Sequence, residues 1–214
     1  MFTGLIRHTG TLAARSQNSQ GIRLSIQAPP QLLGDTQHGA SIAVMGVCLT
    51  VTAAGRGSFE TGLTEETLSK TTLGSLPIGS PLNLEPALKL GAPLDGHQVS
   101  GHVDAVGRLA ARAKHQGLWR FSHPPQLSPM IAPKGSIAID GISLTVVEAS
   151  ADSFTVALIP ETIEATTLSS LKVGSPVNIE VDPIGRHVAR FLAAAKAESM
   201  LTGFAKEGWD YTSF

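Results

Sequence analysis

The sequence has a single cysteine, Cys48, and few charged or aromatic residues. One cysteine excludes a disulfide within the chain, which favours a reducing compartment, so we expect a cytoplasmic protein. Charged residues make up 15% of the chain and the net charge is −1 at pH 7. The basic cluster that a nucleic-acid-binding surface requires is missing. The sequence therefore predicts no nucleic-acid partner.

Long hydrophobic runs are also missing. The stretch between Asp35 and Arg56 carries no charge, but glycine, histidine and threonine interrupt it. Its apolar core at 42–51 is far shorter than the ~20 residues that a membrane helix needs. The first ten residues lack the basic-then-apolar order of a secretory signal. We therefore expect no membrane association, and the 42% of hydrophobic residues to form a globular core.

What the sequence does have is an internal duplication. Residues 41–51 (SIAVMGVCLTV) and 136–146 (SIAIDGISLTV) are identical at seven of eleven positions, at an offset of 95. The same offset relates 59–85 to 154–180, with fourteen of 27 positions identical. Upstream, TGLI at 3–6 aligns with SGHV at 100–103 at an offset of 97. The chain therefore contains two copies of one structural unit.

Each copy reads as a set of short strands. Segments rich in valine, isoleucine, leucine and threonine alternate with glycine and proline every eight to twelve residues. Many short strands in a small unit favour a closed barrel, since closure removes exposed strand edges. We predict an all-β protein with a first barrel at 1–97 and a second at 98–185. A short helix is expected only at 67–76 and at its counterpart, 162–171.

The end of the chain has a different pattern. Asp182 followed by Pro183 is a typical helix start, and an apolar stripe at helical spacing follows: Ile184, Val188, Phe191, Leu192 and Ala195. We predict a C-terminal helix with an aromatic tail at 186–214. Its stripe packs either on its own barrel or on copies of itself in an oligomer.

Two pairs of small polar residues recur within apolar strands. Cys48 and Thr50 share one strand face, as do their counterparts Ser143 and Thr145. Two interpretations are open. Either these residues fill a barrel interior, since a free cysteine is usually a buried small hydrophobe, or each copy has a pocket lined by a thiol or a hydroxyl.

Two histidines, His97 and His102, flank the start of the second copy, with Asp104 on the same face as His102 if the segment is extended. A zinc site would need a further ligand at suitable spacing, so we expect no metal. Each histidine is either structural or a general acid–base group, since imidazole titrates near neutral pH. Lys134 replaces Gly39 of the first copy and is either a surface lysine or a ligand contact.

An ordered set of motifs resembles the riboflavin synthase family. The motifs are MFTG at 1–4, GVCLTV at 46–51, ETL at 66–68, TLG at 72–74, GHQVSGHVD at 96–104, KGSIAIDGISLTV at 134–146, IPET at 159–162 and VNIEVD at 177–182. Each fragment is weak alone, but the ordered set spans about residues 1–190 and is specific.

The resemblance implies two six-stranded Greek-key barrels and a C-terminal helix that forms a homotrimer. Each barrel would bind one 6,7-dimethyl-8-ribityllumazine, so that an active site holds two, between the first barrel of one subunit and the second of its neighbour. A four-carbon unit would pass between them, giving riboflavin and 5-amino-6-(D-ribitylamino)uracil. This transferase reaction uses no cofactor or metal. Lumazine synthase is a candidate partner.

The resemblance also implies the residues of both pockets, matched motif by motif. The first pocket is expected to use Cys48, Leu49, Thr50, Gly62, Leu63, Thr64, Glu65, Glu66, Thr67, Gly101, His102 and Val103. The second is expected to use Gly4, Leu5, Ile6, Lys134, Ser143, Leu144, Thr145, Leu158, Ile159, Pro160, Glu161, Thr162 and Ile163.

Within these pockets His102 is the candidate proton carrier, with Cys48 or Ser143 adding to or hydrogen-bonding the acceptor ring. Met45 departs from the family, which often has asparagine there, and we expect little effect on the pocket. The competing interpretation is an antenna protein of the same fold that binds lumazine or flavin without catalysis. Formation of riboflavin from the lumazine alone would distinguish the two.

Overall fold

The computed structural model describes residues 1–18, 21–113 and 117–204. The aromatic tail beyond Phe204 lies outside the described residues. Twelve strands are present in the described part: β1 (His8–Asn18), β2 (Gly21–Gln27), β3 (Ser41–Val44), β4 (Val47–Ala54), β5 (Ser58–Leu63), β6 (Pro81–Pro86), β7 (Ala105–Arg112), β8 (Leu118–Ser122), β9 (Ser136–Ile139), β10 (Ile142–Ala149), β11 (Ser153–Ala157) and β12 (Pro176–Val181).

These strands form two closed antiparallel barrels. The first has the order β1-β2-β5-β4-β3-β6, and the second has the equivalent order β7-β8-β11-β10-β9-β12. Each barrel has a register shift between its first two strands, after Leu12 in the first barrel and after Leu109 in the second. Each has another between its fourth and fifth strands, after Val51 and after Val146. The predicted duplication and barrel class are therefore confirmed, down to the positions of the irregularities.

Side chains alternate between the barrel interior and the outer face, as the period of a strand requires. In β4, for example, Val47, Leu49 and Val51 are buried, whereas Thr50 is exposed. The interiors are filled by aliphatic residues and phenylalanine, including Phe59 in the first barrel and Phe121 and Phe154 in the second. Burial of each such side chain contributes about 1.5–3 kcal/mol, which makes the two interiors the main source of stability.

The short helices differ in their limits from the sequence prediction. Beyond α1 (Pro30–Leu33), the chain forms α2 (Glu65–Lys70) and α3 (Pro160–Ala165), and each of the latter two is followed by a separate 3-10 turn, at Thr72–Gly74 and Thr167–Ser170. A single helix at 67–76 or 162–171 was therefore wrong. Thr71 and Thr166 are extended, and their hydroxyls accept hydrogen bonds from the backbone of the following turn.

The C-terminal helix, α4 (Pro183–Phe204), begins where the sequence predicts. The Asp182 carboxylate accepts the backbone N–H of Ile184 at 2.9 Å, as a helix N-cap does. At its base Arg186 pairs with Asp104 at 2.8 Å. The predicted stripe is not covered by the barrel, since Ile184 and Phe191 are 71% and 72% exposed. None of the described helices combines the length and hydropathy needed to cross a membrane.

The barrels meet backbone to backbone at two hairpin turns. Met45–Gly46 and Asp140–Gly141 each have positive φ at both residues, the type I′ geometry of a two-residue hairpin. A Cβ on Gly46 would lie 2.6 Å from the backbone nitrogen of Gly141. This contact leaves no room for a side chain, so glycine is required on both sides.

Two buried asparagines hold the barrels together across this contact. Asn83 donates to the backbone oxygen of Asp140 at 3.0 Å and accepts from the N–H of Thr167 at 2.9 Å. Asn178 makes the equivalent contacts in the opposite direction: it donates to the backbone oxygen of Met45 and accepts from the N–H of Thr72, both at 2.8 Å. An amide can donate and accept at once, which explains why both copies have asparagine here.

One pair of equivalent positions breaks the symmetry of this interface. The backbone N–H of Asn178 donates to the Asp140 carboxylate at 2.8 Å, whereas that of Asn83 donates to the sulfur of Met45 at 3.2 Å. Met45 is thus an interface residue in the turn. Burial raises the pKa of Asp140 to about 7, although the hydrogen bond from Asn178 opposes the rise.

Asp140 should make the fold less stable as the pH rises. The unfolded chain loses the proton of Asp140 near pH 4 and the folded chain near pH 7, so the free energy of unfolding falls across that window. Asp140→Asn keeps the hydrogen-bond acceptor and tolerates positive φ. We expect the difference in the free energy of unfolding, variant minus wild type, to be roughly 2–4 kcal/mol larger at pH 8 than at pH 4. Urea unfolding at fixed protein concentration measures this. The exposed Glu148→Gln is the control, and an equal effect of both variants would contradict the assignment.

Candidate active site

The polar pairs of the two repeated strands lie outside the barrels. Cys48 is half-buried and Thr50 exposed on the outer face of β4, while Leu49 between them points into the core. Ser143, Leu144 and Thr145 of β10 show the same pattern. The alternative in which these residues fill the barrel interior is therefore wrong. Each polar pair is available to a ligand on the barrel surface.

Two extended segments cover these outer faces, and each belongs to the opposite repeat. The first strap (residues 1–6) lies on the second barrel, where the oxygen of Gly4 accepts the N–H of Ser143 at 2.8 Å. The second strap (residues 99–103) lies on the first barrel, where the oxygen of Gly101 accepts the N–H of Cys48 at 2.9 Å. The straps pair with each other through an antiparallel bridge between Phe2 and Val99. The repeats thus exchange their leading segments.

Glycine is needed where each strap crosses its strand. Gly4 and Gly101 have φ of 76° and 82°, and a Cβ on either would lie 2.6 Å from the Cβ of Ser143 or 2.5 Å from that of Cys48. The straps therefore contact the two polar residues directly.

A cavity of about 200 Å³ opens beside Ser143. Six predicted residues of the second pocket line it: Gly4, Leu5, Ile6, Ser143, Glu161 and Thr162. Ile142, Ala165 and Thr166 line it as well and were missed by the sequence analysis. The cavity wall therefore combines the first strap, the start of β10 and helix α3.

The other residues predicted for the second pocket do not line this cavity. Leu144 and Leu158 are buried in the core of the second barrel. Lys134 is an exposed turn residue with φ of 67°. Its backbone N–H donates to the oxygen of Val146 in β10 at 2.8 Å. Of the remaining positions, Thr145 lies further along β10. The others belong to the N-cap and body of α3: Ile159, Pro160 and Ile163. Their role in substrate binding stays a prediction.

The first pocket has the equivalent frame. Cys48 contacts the second strap at Gly101, Thr50 is exposed, and Val103 is half-buried against the first core. The segment 62–67 forms the end of β5 and the start of α2, where the Thr64 hydroxyl accepts the N–H of Thr67 at 3.2 Å. By the offset of 95, Glu66 and Thr67 correspond to the cavity-lining Glu161 and Thr162. Gly62 and Glu65 are exposed beside them, and Leu63 is in the core.

The histidines divide between the pockets. The Nδ1 atom of buried His97 lies 2.6 Å from the Ser143 hydroxyl, beneath the first strap. His102 is exposed on the second strap, at the position that Leu5 occupies on the first. One pocket therefore has a thiol with one histidine nearby, and the other a hydroxyl bonded to a second histidine.

Burial lowers the pKa of His97, although the carboxylates of Asp182 and Glu180 partly oppose this. A neutral imidazole can accept the Ser143 proton, and this makes the hydroxyl more nucleophilic. From the sequence, His97 is either a structural residue or a general acid–base group. Asp104 forms an ion pair with Arg186. Among the described residues, no three histidine, cysteine, aspartate or glutamate side chains are grouped to hold a metal.

Comparison with known proteins defines the class. The chain matches the lumazine binding domain twice, over residues 3–87 and 100–182, so it is a tandem lumazine-binding-domain protein. Riboflavin synthases of Actinobacillus pleuropneumoniae and Mycobacterium tuberculosis are 42% and 44% identical to it, over 92% and 91% of this chain and 93% and 100% of theirs. That of Bacillus subtilis is 39% identical, over 91% of both chains. The chain belongs to the riboflavin synthase family.

Solved structures of the same fold are more distant in sequence. LumP complexed with riboflavin is 25% identical, with a TM-score of 0.76, over 85% of this chain and 99% of that one. LumP complexed with 6,7-dimethyl-8-(1'-D-ribityl) lumazine gives the same TM-score at 23% identity, which shows the fold alone.

The contact between His97 and Ser143 predicts an unusual titration. We expect the His97 imidazole to titrate below the 6.5 of an ordinary histidine, since its charged form loses hydration in the protein interior. Because the unfolded chain then takes up the proton at higher pH, His97 lowers the free energy of unfolding as the pH falls through about 6.5. Imidazole proton resonances in NMR measure the midpoint, and His97→Gln assigns the signal. A midpoint at or above 6.5 would contradict the buried, neutral assignment.

Proposed function

We propose that this protein is a transferase that converts two molecules of 6,7-dimethyl-8-ribityllumazine into riboflavin and 5-amino-6-(D-ribitylamino)uracil. The observation that carries the proposal is the pairing of equivalent sites. Each barrel has a small polar pair on its outer face, and a strap from the other repeat crosses the first member of each pair, Cys48 or Ser143. A reaction between two identical molecules needs two related pockets, and a duplicated domain supplies them.

The reaction is a dismutation. One lumazine gives up a four-carbon unit and the other receives it, so the two substrates together contain all atoms of the two products. The donor and the acceptor balance each other in oxidation state. An external oxidant or reductant is not required, and we propose that the enzyme works without a cofactor.

Much of the rate should come from holding the two molecules in register. Placing two reactants against each other can remove about 7–11 kcal/mol of the barrier when the geometry is favourable. The chemical steps need a proton removed from a ring methyl, followed by carbon–carbon bond formation. We propose that His102 moves this proton, and that Cys48 and Ser143 add to or hydrogen-bond the rings.

The asymmetry of the pockets fits different duties for the two substrates. Ser143 is bonded to a neutral, buried imidazole, whereas Cys48 has an exposed histidine on its strap. A hydroxyl activated by His97 can attack a ring or deliver a proton to it. We therefore place the pair Ser143–His97 at one substrate and the pair Cys48–His102 at the other.

We propose that the active protein is a homotrimer whose sites lie between chains. The apolar stripe of α4 remains open, and an exposed stripe of this kind favours contact with other copies of the chain. A cytoplasmic location fits a free thiol at a working site, because reducing conditions keep it unoxidised. Lumazine synthase stays a candidate partner on the resemblance alone.

The alternative is an antenna protein that binds lumazine or flavin without converting it. The LumP complexes share the fold. The sequence is nearer to the synthases, at 37–44% identity, than to LumP, at 23–26%. The synthase assignment is therefore favoured.

Incubation with 6,7-dimethyl-8-ribityllumazine alone should produce riboflavin, followed by its absorbance and green fluorescence. We expect His102→Ala to lower the turnover by roughly 10²–10⁴, the usual contribution of a positioned proton carrier. Binding, measured by lumazine fluorescence, should largely persist. His38→Ala, at an exposed histidine that is not among the residues predicted for either pocket, is the matched control. Wild-type turnover of the His102 variant would remove His102 from the mechanism, and no riboflavin from the wild type would favour the antenna.

Sites shared between chains should allow defects to complement. Cys48→Trp should block the first pocket and Ser143→Trp the second, so each variant alone should be nearly inactive. In mixed trimers, an intact first barrel of one chain can face an intact second barrel of another. Refolding the variants together should restore riboflavin formation.

The matched control for complementation combines Cys48→Trp with Thr50→Trp. Both substitutions block the first pocket, so their mixture should remain inactive. Native mass spectrometry verifies that mixed trimers form. Mixed trimers of the Cys48 and Ser143 variants that stay inactive would show that each site belongs to one chain.

A further inference from the structure

Two buried carboxylates fasten the straps. Glu85 of β6 accepts the N–H and the hydroxyl of Thr3 on one oxygen, both at 2.7 Å, and the N–H of Gly4 on the other at 3.0 Å. Glu180 of β12 repeats the arrangement with Ser100, at 2.6 Å for both contacts, and with Gly101 at 2.9 Å. The two glutamates are 5% and 2% exposed. Each strap is thus held by three hydrogen bonds to one carboxylate.

The carboxylate and the pocket that its strap covers lie on different barrels. Glu85 belongs to the first barrel, but the strap that it holds contacts Ser143 of the second. Glu180 belongs to the second barrel, but its strap contacts Cys48 of the first. A single glycine in each strap, Gly4 or Gly101, makes both contacts. Its N–H donates to the glutamate, and its carbonyl oxygen accepts from the strand.

Only a carboxylate suits this position. Both of its oxygens accept, whereas the amide of a glutamine would turn an NH₂ group toward one of the strap N–H groups. Each strap is in close van der Waals contact with its strand, because a single carbon added to Gly4 or Gly101 would overlap Ser143 or Cys48. A strap that loses one of its bonds must therefore shift against the strand that it covers.

We infer that Glu85 and Glu180 are positioning residues that act crosswise, each setting the cover of the pocket on the opposite barrel. Glu180 holds the strap over Cys48, and Glu85 holds the strap over Ser143. The inference rests on the proposed function only where it treats the two covered faces as substrate pockets. The crossed arrangement itself can be tested without substrate.

The thiol of Cys48 reports directly on the second strap, because the chain has no other cysteine. We expect Glu180→Gln to raise the rate of its reaction with a disulfide reagent such as DTNB by about tenfold or more, the effect of losing one charge-assisted hydrogen bond. Glu85→Gln, which loosens only the other strap, should change this rate by less than about twofold.

The converse experiment moves the reporter to the second barrel. In a Cys48→Ser, Ser143→Cys background, Glu85→Gln should accelerate the reaction and Glu180→Gln should not. Glu60→Gln, at a partly exposed glutamate that pairs with Arg23 on the first barrel, controls for the loss of charge and should affect neither reporter. Circular dichroism verifies folding of each variant.

Milder variants test the same inference if a glutamine variant does not fold. Ser100→Ala removes the hydroxyl that donates to Glu180 and accepts the N–H of His102. Thr3→Val removes the hydroxyl that donates to Glu85 and accepts the N–H of Leu5. Both variants keep the carboxylate, so a smaller effect with the same crossed pattern is expected. Equal acceleration by substitutions in both straps, or no acceleration by either, would overturn the inference. The labelling needs no turnover, so its result stands whether or not riboflavin is formed.

Discussion

The close approach of two hairpin turns, at Gly46 and Gly141, determines the rest of the structure. It brings the barrels close enough for Asn83 and Asn178 to bridge them through equivalent hydrogen bonds. It also leaves Phe2 and Val99 fully buried at the junction, where the straps pair. Because the straps meet there, each continues onto the opposite barrel. The pockets depend on this contact, since the strap that crosses Cys48 or Ser143 comes from the other repeat.

The near symmetry of the frame and the asymmetry of its polar groups serve different purposes. In the proposed reaction, the equivalent strands, bulges and turns would present two substrates in similar surroundings. The side chains then differ, with a thiol in one pocket and a hydroxyl bonded to His97 in the other. A dismutation needs this combination, because identical molecules must become a donor and an acceptor. In the proposed reaction, the symmetry would provide recognition and the differences would assign the roles.

The sequence predicted the repeated frame and the start of α4 because both leave local signals, a constant offset and the pair Asp182–Pro183. Strand periodicity showed that Cys48 and Thr50 share a face but not that this face is outside the barrel. That choice depends on how the sheet closes. The contact of His97 with Ser143 joins residues 46 positions apart and has no counterpart in the first copy. The crossing of the straps was also hidden, because the offset relates the copies without showing which barrel a segment contacts.

A crystal structure with an unreactive ribityllumazine analogue would show directly whether two equivalent pockets lie outside the barrels, beneath exchanged straps. We expect two analogue molecules per chain, one against Cys48 and the second strap and one against Ser143 and the first strap. A single molecule per chain would contradict this expectation. So would an analogue within a barrel, or in the open groove lined by Thr9, Gln27 and Arg56.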